Sequence, residues 1–189
     1  MDKILIICSS EKGIKVYKDN LKEMGYIHID IENNGSAARR RLIEEDYELV
    51  IIDTPLKDEF GNDLALKISQ TGNAGVILVV RSVDADMIGA KVEEYGVFVI
   101  PKPFTKSIFY QGVKFVATSI KRFSKLNQEK NKLLKQVEDI KKVDRAKCLL
   151  IQYNKMTEKQ AHKYLEKQAM DLRLSRRAVA DKIINYYEV

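Results

Sequence analysis

Four short apolar runs, Ile4 to Cys8, Leu49 to Ile52, Val76 to Val80 and Val97 to Ile100, constrain this chain more than any other feature. Each reads as a strand buried on both faces, and such strands belong to a parallel sheet covered by helices. Helical patterns lie between them at Gly13 to Met24, Ser36 to Glu45, Leu64 to Gln70 and Asp84 to Glu94, while Tyr26 to Ile31 alternates as a further strand. The expected fold class is therefore α/β, a doubly wound, five-stranded parallel sheet. Folds of this kind carry their ligand chemistry at the carboxyl ends of the strands. Here those ends are Cys8, Asp53, Val80 and Lys102.

Beyond Phe104 there is no proline and a single glycine, Gly112, in a helical pattern that continues to about Tyr153. A helix of that length needs a partner. Phe123, Leu126, Lys130, Leu133, Val137 and Ile140 are spaced 3, 4, 3, 4, 3, as in a heptad seam. The seam runs for under three heptads, and packing of the helix on the sheet domain competes with it. A homodimeric coiled coil is expected, with Phe123, Leu126, Leu133, Val137 and Ile140 as dimerisation residues. Residues 127–135 would otherwise form a highly charged helix with only a narrow apolar stripe to bury. Lys130 at a core position weakens the coil while limiting its registers. The expected division is a sheet domain at residues 1–120, a coiled-coil linker helix at 121–142 and a small three-helix all-α domain at 143–189.

The net charge of +6 over 189 residues hides an asymmetry. Residues 1–103 hold 13 Lys and Arg against 18 Asp and Glu, a balance of −5, and the rest hold 20 against 9, or +11. Such a split favours a polyanionic partner for the second half. Cys8 and Cys148 form no CxxC pattern and imply neither a disulfide framework nor a zinc site; both are expected to pack as small hydrophobes in a reducing cytosol. His28 and His162 lack partners at ligand spacing, so no metal site is expected. The apolar run near the amino terminus is too short for a signal sequence, and no later run approaches the roughly 18 residues of a membrane span. A cytoplasmic chain without a membrane partner is expected.

The basic tail has a definite pattern. Ala146, Leu149, Leu150 and Tyr153 share one helical face; Thr157 and Gln160 make a capping box that opens a second helix; Ser175 is an N-cap candidate for a third. In the second helix Ala161, Tyr164, Leu165, Gln168 and Ala169 point inward, leaving Lys159, Lys163 and Lys167 at four-residue spacing outside. Arg173, Arg176, Arg177 and Lys182 cluster around the next loop, beside Met170. A row of surface lysines is often no more than solvated charge, but arginine can also grip phosphate bidentately and stack on unpaired bases.

The run MTEKQAHKYLEKQAMD followed by LSRRAVADKII resembles the ANTAR family of transcription antiterminators, whose AxxxL helices flank an AM pair and end in a VAxxII helix. The resemblance implies recognition of stem-loop RNA in leader transcripts, favouring an antiterminator over a terminator. The residues expected to bind RNA are Arg145, Lys147, Lys163, Lys167, Met170, Arg173, Arg176, Arg177 and Lys182. A dimer would present two modules to two neighbouring hairpins. The rival readings are a DNA-binding helix-turn-helix, which lacks the expected glycine-containing turn, and a protein-interaction module that the basic tail merely solubilises.

The first half, with Asp53 ending a buried strand in LVIIDTPLKDEFG and Lys102 in IPKPF, resembles the receiver domains of two-component response regulators. The resemblance covers about residues 1–120. It implies a flavodoxin-like fold, a phosphoacceptor position at Asp53, a paired lysine at Lys102 and a cis Lys102–Pro103 bond. It also exposes two departures. Receivers hold Mg²⁺ with an acidic pair after the first strand, where this chain has Cys8 and Ser9, and they end the fourth strand in Ser or Thr, where this chain has Val80. Ser82 and Glu11 could substitute but lack the family spacing. The expectation is a pseudo-receiver with a vestigial aspartate and no Mg²⁺ or other cofactor, controlled by a ligand or by a sensor or regulator protein. The alternative is a phosphorylation-dependent response regulator acting on RNA or DNA. No catalytic constellation is evident, so no enzyme activity is expected.

Overall fold

The computed structural model describes residues 3–71 and 74–188. Five strands, β1 (Lys3–Cys8), β2 (His28–Glu32), β3 (Leu49–Asp53), β4 (Gly75–Arg81) and β5 (Val97–Lys102), form one parallel sheet in the order β2-β1-β3-β4-β5. Helices α1 (Glu11–Glu23), α2 (Gly35–Glu44), α3 (Asn62–Thr71) and α4 (Ser82–Val92) connect them, with a short 3₁₀ turn at Glu93–Tyr95. Then follow α5 (Lys106–Asn154), α6 (Glu158–Leu172) and α7 (Arg176–Tyr187). The doubly wound α/β sheet read from the sequence is the one observed. Packing divides the chain into two compact units, Met1–Ser124 and Lys125–Val189.

Strand side chains alternate between the two faces of the sheet. Leu5, Ile7, Val50, Ile52, Leu78 and Val80 pack against α2, α3 and α4, through Ala38, Leu64, Ile68, Ile88 and Val92. Ile4, Ile6, Cys8, Leu49, Ile51, Ile77, Val79 and Ile100 pack against α1 and α5, through Tyr17, Leu21, Phe109 and Val113. Burying one such aliphatic side chain contributes about 1.5–3 kcal/mol, which explains why β3 and β4 carry no charged residue before their carboxyl ends. Gly112, which punctuates the helical pattern, has a packing reason: a Cβ there would lie 2.8 Å from Phe98 Cε1, so its absence lets α5 approach β5.

Element boundaries shift where local bonds outweigh periodicity. The Ser10 hydroxyl accepts from Gly13 N–H at 3.3 Å and starts α1 ahead of the apolar pattern. Tyr26 N–H donates to Leu21 C=O at 3.1 Å in the turn that ends α1, with Gly25 at φ 90, so β2 begins only at His28. The first helix of the all-α domain is the end of α5, with no break between linker and module. No helix among the described residues is long and apolar enough to cross a membrane.

Candidate functional sites: the aspartate pocket and a basic helical surface

The register brings the strand ends together. Cys8 pairs with Asp53 across β1 and β3, Asp53 with Val79 across β3 and β4, and Arg81 with Lys102 across β4 and β5. Asp53 is 9% exposed. Lys102 Nζ lies 2.5 Å from its Oδ1 and donates also to Thr54 C=O at 2.6 Å, which fixes the ammonium between two acceptors. The Cys8 thiol faces Asp53 Oδ2 at 3.3 Å and Ser10 C=O at 3.4 Å. Gly13 permits this closeness, since a Cβ there would stand 2.8 Å from Cys8 Sγ and 3.0 Å from Asp53 Oδ2. The Thr54–Pro55 and Lys102–Pro103 bonds are both cis.

Both oxygens of Asp53 are therefore engaged. Burial, and then the neighbouring Asp53 charge, pushes the Cys8 thiol up to about 11, so it is a neutral S–H near pH 7. Burial likewise raises the Tyr17 phenol, with Asp53 as the next cause. Thr54 commits its hydroxyl to Val79 C=O at 3.1 Å, Ser9 commits its own to Pro55 C=O at 3.2 Å, and Arg81 turns to Asp84 at 2.8 Å. Mg²⁺ demands near-octahedral oxygen coordination. One carboxylate already held by an ammonium, beside a neutral thiol, does not fit that cation. Among the described residues there is no group of three or more His, Cys, Asp or Glu that could hold a metal ion. As arranged, Asp53, Cys8 and Lys102 form a satisfied polar cluster that ties three strand ends together.

A second polar clamp, which the sequence reading missed, holds the loop after β3. Asp58 accepts from Gly35 N–H at 2.7 Å, Ser36 N–H at 2.9 Å and the Ser36 hydroxyl at 2.8 Å. These donors at the start of α2 bring the Asp58 carboxyl down to about 2. Arg39 grips Glu59 with both terminal guanidinium nitrogens, and a side chain at Gly35 would collide with Glu59 Oε1. Asp-Glu following Pro55, with Asn-Gly-Ser opposite, is the only trace of this clamp in the sequence.

In the second unit, the end of α5 packs with α6 and α7 around Ala146, Leu150, Ala161, Leu165, Val179 and Ala180. Both expected caps are present: the reciprocal Thr157–Gln160 box and the Ser175 hydroxyl accepting from Ala178 N–H at 3.1 Å. Of the nine residues expected to bind RNA, the eight cations fall into two groups of four. Arg145 pairs with Glu188; Lys147 lies between Asp144 at 2.8 Å and Glu158 at 3.1 Å; Arg176 meets Glu166 at 3.4 Å; Arg177 pairs with Asp139 and, at 3.8 Å, with Asp181. Lys163, Lys167, Arg173 and Lys182 are exposed and have no acidic partner among the described residues. Met170 is 78% exposed and borders a shallow groove with Glu166, Ala169, Leu174 and Arg176. Another feature left unread in the sequence is a tyrosine cluster at the ends of α5 and α7, formed by Tyr153, Tyr186 and Tyr187.

The heptad residues of α5 are open: Phe123, Leu126, Leu133, Val137 and Ile140 are between 48% and 61% exposed. A helix normally hides such a stripe.

Comparison with known proteins finds likenesses in both parts of the chain. Residues 131–184 match the ANTAR domain family. Over 181 residues, 95% of this chain and 88% of the relative, the sequence is 26% identical to the transcriptional regulatory protein PdtaR of Mycobacterium tuberculosis strain H37Rv. The structure is similar to a two-component response regulator from Clostridium difficile, with a TM-score of 0.54 and 26% identity over 61% of this chain and 95% of that one. It shares its fold with a signal receiver domain of an HD domain-containing protein from Pseudomonas fluorescens Pf-5, with a TM-score of 0.59 and 18% identity over 66% of this chain and 92% of that one. The chain thus joins a receiver-like fold to a carboxyl-terminal segment that matches the ANTAR domain family.

Proposed function

We propose that this chain is an RNA-binding transcription antitermination regulator. In this reading it grips hairpin loops of leader transcripts as a dimer and is controlled by a protein partner or ligand rather than by phosphorylation. The observation that carries the reading is the ANTAR match at residues 131–184, falling on a unit whose surface keeps Lys163, Lys167, Arg173 and Lys182 free of acidic partners among the described residues. Unneutralised cations gain most from a polyanion, because binding to phosphates releases condensed counterions. The open stripe from Phe123 to Ile140 supports the dimer, since a second α5 would cover it.

Control by a partner is supported by the Asp53 pocket, where the carboxylate oxygens are taken by Lys102 and the Cys8 thiol. A phosphorylation switch is the second reading, favoured by the Asp53–Lys102 pair itself and by the likeness to a two-component response regulator. A gel shift distinguishes RNA from DNA as target: a two-hairpin RNA should bind, and the same sequence as duplex DNA should not. Equal binding to both at one salt concentration sinks the RNA reading. Acetyl phosphate with Mg²⁺ should leave the affinity unchanged; a phosphoryl group on Asp53 with a matching rise in affinity establishes the switch instead.

A further inference from the structure

Three tyrosines gather where α5 and α7 end. Tyr153 and Tyr187 stack with ring centroids 4.9 Å apart and planes 10° from parallel, and Tyr186 stands edge-on to Tyr187 at 4.8 Å. Tyr187 is anchored by its hydroxyl, which donates to Asn154 Oδ1 at 2.5 Å. Rings that merely dock a helix end are covered by the docking. Here Tyr153 is 54% exposed and Tyr186 78%. Tyr187 covers one face of Tyr153, and the residue stays half exposed beside it.

Two exposed cations lie close to the stack along the chain. Lys155, two residues beyond Tyr153, is exposed and held in the left-handed region at φ 56. Lys182 precedes Tyr186 by one turn on the same face of α7 and is exposed as well. Neither has an acidic partner among the described residues. The half-exposed Tyr153 ring, backed by Tyr187 and accompanied in sequence by two uncompensated cations, matches an unstacked nucleobase with its neighbouring phosphates. A base-paired duplex offers no free base face to such a platform, and an apolar peptide has no use for the two lysines.

We propose that Tyr153, backed by Tyr187 with Tyr186 standing edge-on behind it, forms a platform on which one unpaired base of a single-stranded RNA loop stacks, with Lys155 and Lys182 holding the neighbouring phosphates. The platform deepens the RNA-binding reading above and rests on it. It adds aromatic stacking to the cation set and assigns a ligand class to residues at the edge of the ANTAR match, which ends at Ile184.

The test uses the full chain and a stem-loop RNA that the wild type selects from a pool with randomised loops. Tyr186→Ala removes an exposed ring, and Tyr153→Leu removes the stacked one while keeping its apolar volume. Tyr153→Leu is expected to weaken binding by roughly five- to hundredfold, the range for one stacked base, and Tyr186→Ala, which removes the edge-on ring, by less, neither changing the salt dependence. Tyr153→Phe should bind like wild type. With 2-aminopurine at each loop position in turn, wild type should quench one position, and Tyr153→Leu should relieve that quench. If both variants bind like wild type with the quench intact, the platform is wrong while RNA binding stands. If wild type selects no stem-loop at all, both readings fall.

Discussion

The aspartate pocket and the α6–α7 surface use charge in opposite ways. In the pocket the carboxylate meets the Lys102 ammonium, the Cys8 thiol and the Tyr17 phenol, the Thr54 and Ser9 hydroxyls are turned to backbone carbonyls, and burial keeps Cys8 neutral. On the helical surface four of the residues expected to bind RNA are tied to acids from neighbouring turns or helices, and four others are left open. A group whose partners are complete has stability to offer but little affinity. A charge exposed without a partner adds little to the fold and is available to a ligand. Lysine counts alone do not separate these cases; the positions of the acids do.

The largest effect should come from the open cations. Reversing Lys163, Lys167, Arg173 and Lys182 to Glu should lower hairpin affinity to roughly a hundredth or less. It should also flatten the slope of log K against log salt by roughly 0.7 for each phosphate left unneutralised, while the unfolding midpoint barely moves. Reversing the paired set instead, Arg145, Lys147, Arg176 and Arg177, should lower stability, because it places like charges against Glu188, Glu158, Glu166 and Asp139. Equal losses of affinity with equal stability in both sets would break the contrast.

Next in size is the seam. Leu133→Glu with Val137→Glu puts charges into the open stripe of α5 and should give a folded monomer. A single hairpin should bind as before, while a two-hairpin RNA should bind about a hundredfold more weakly, the contribution expected from linkage of two modules. Sedimentation equilibrium and the one-against-two-hairpin comparison check both halves. A wild type that is monomeric at tens of micromolar removes the claim.

What could be read in advance follows from the range of the forces involved. The strands were legible because full burial requires uninterrupted apolar runs, and the caps at Thr157 and Ser175 because they act within one turn. Asp53 and Lys102 were legible as strand ends that a parallel sheet must bring to one edge. The clamp of Asp58 on Gly35 and Ser36, and the stack of Tyr153 on Tyr187, join residues more than twenty positions apart with no periodic signature. The same is true of the pairing of Arg177 with Asp139, whose partner lies in what reads as linker. Periodicity assigned Tyr153 to the core-facing stripe, whereas the helix ends at Asn154 and leaves its ring on the rim.

The clamp gives a pH signature of its own. The Asp58 carboxyl is held at about 2 in the folded chain against 3.8 ordinarily, the start of α2 supplying the donors. Its contribution to stability is therefore complete above about pH 4 and is lost as pH falls through about 2. Asp58→Asn should be less stable than wild type at pH 7, and the gap should close by pH 2 in denaturant titrations. A gap that persists unchanged at pH 2 shows that the side chain acts by shape and not by charge.

The smallest effect should fall on the residue that receiver-like chains make most conspicuous. Asp53→Asn keeps the volume and leaves an amide facing Lys102 and Cys8, so the ammonium loses its carboxylate but keeps Thr54 C=O at 2.6 Å. Lys102 is 31% exposed at its side chain, so water can replace part of the missing attraction. The cost should be about 1 kcal/mol of stability, in the range of a partly solvated pair, and hairpin affinity should not change. If the variant instead loses dimerisation or RNA binding while staying folded, the pocket is coupled to the output surface. The contrast between a closed site and an open one would then have to be redrawn around Asp53.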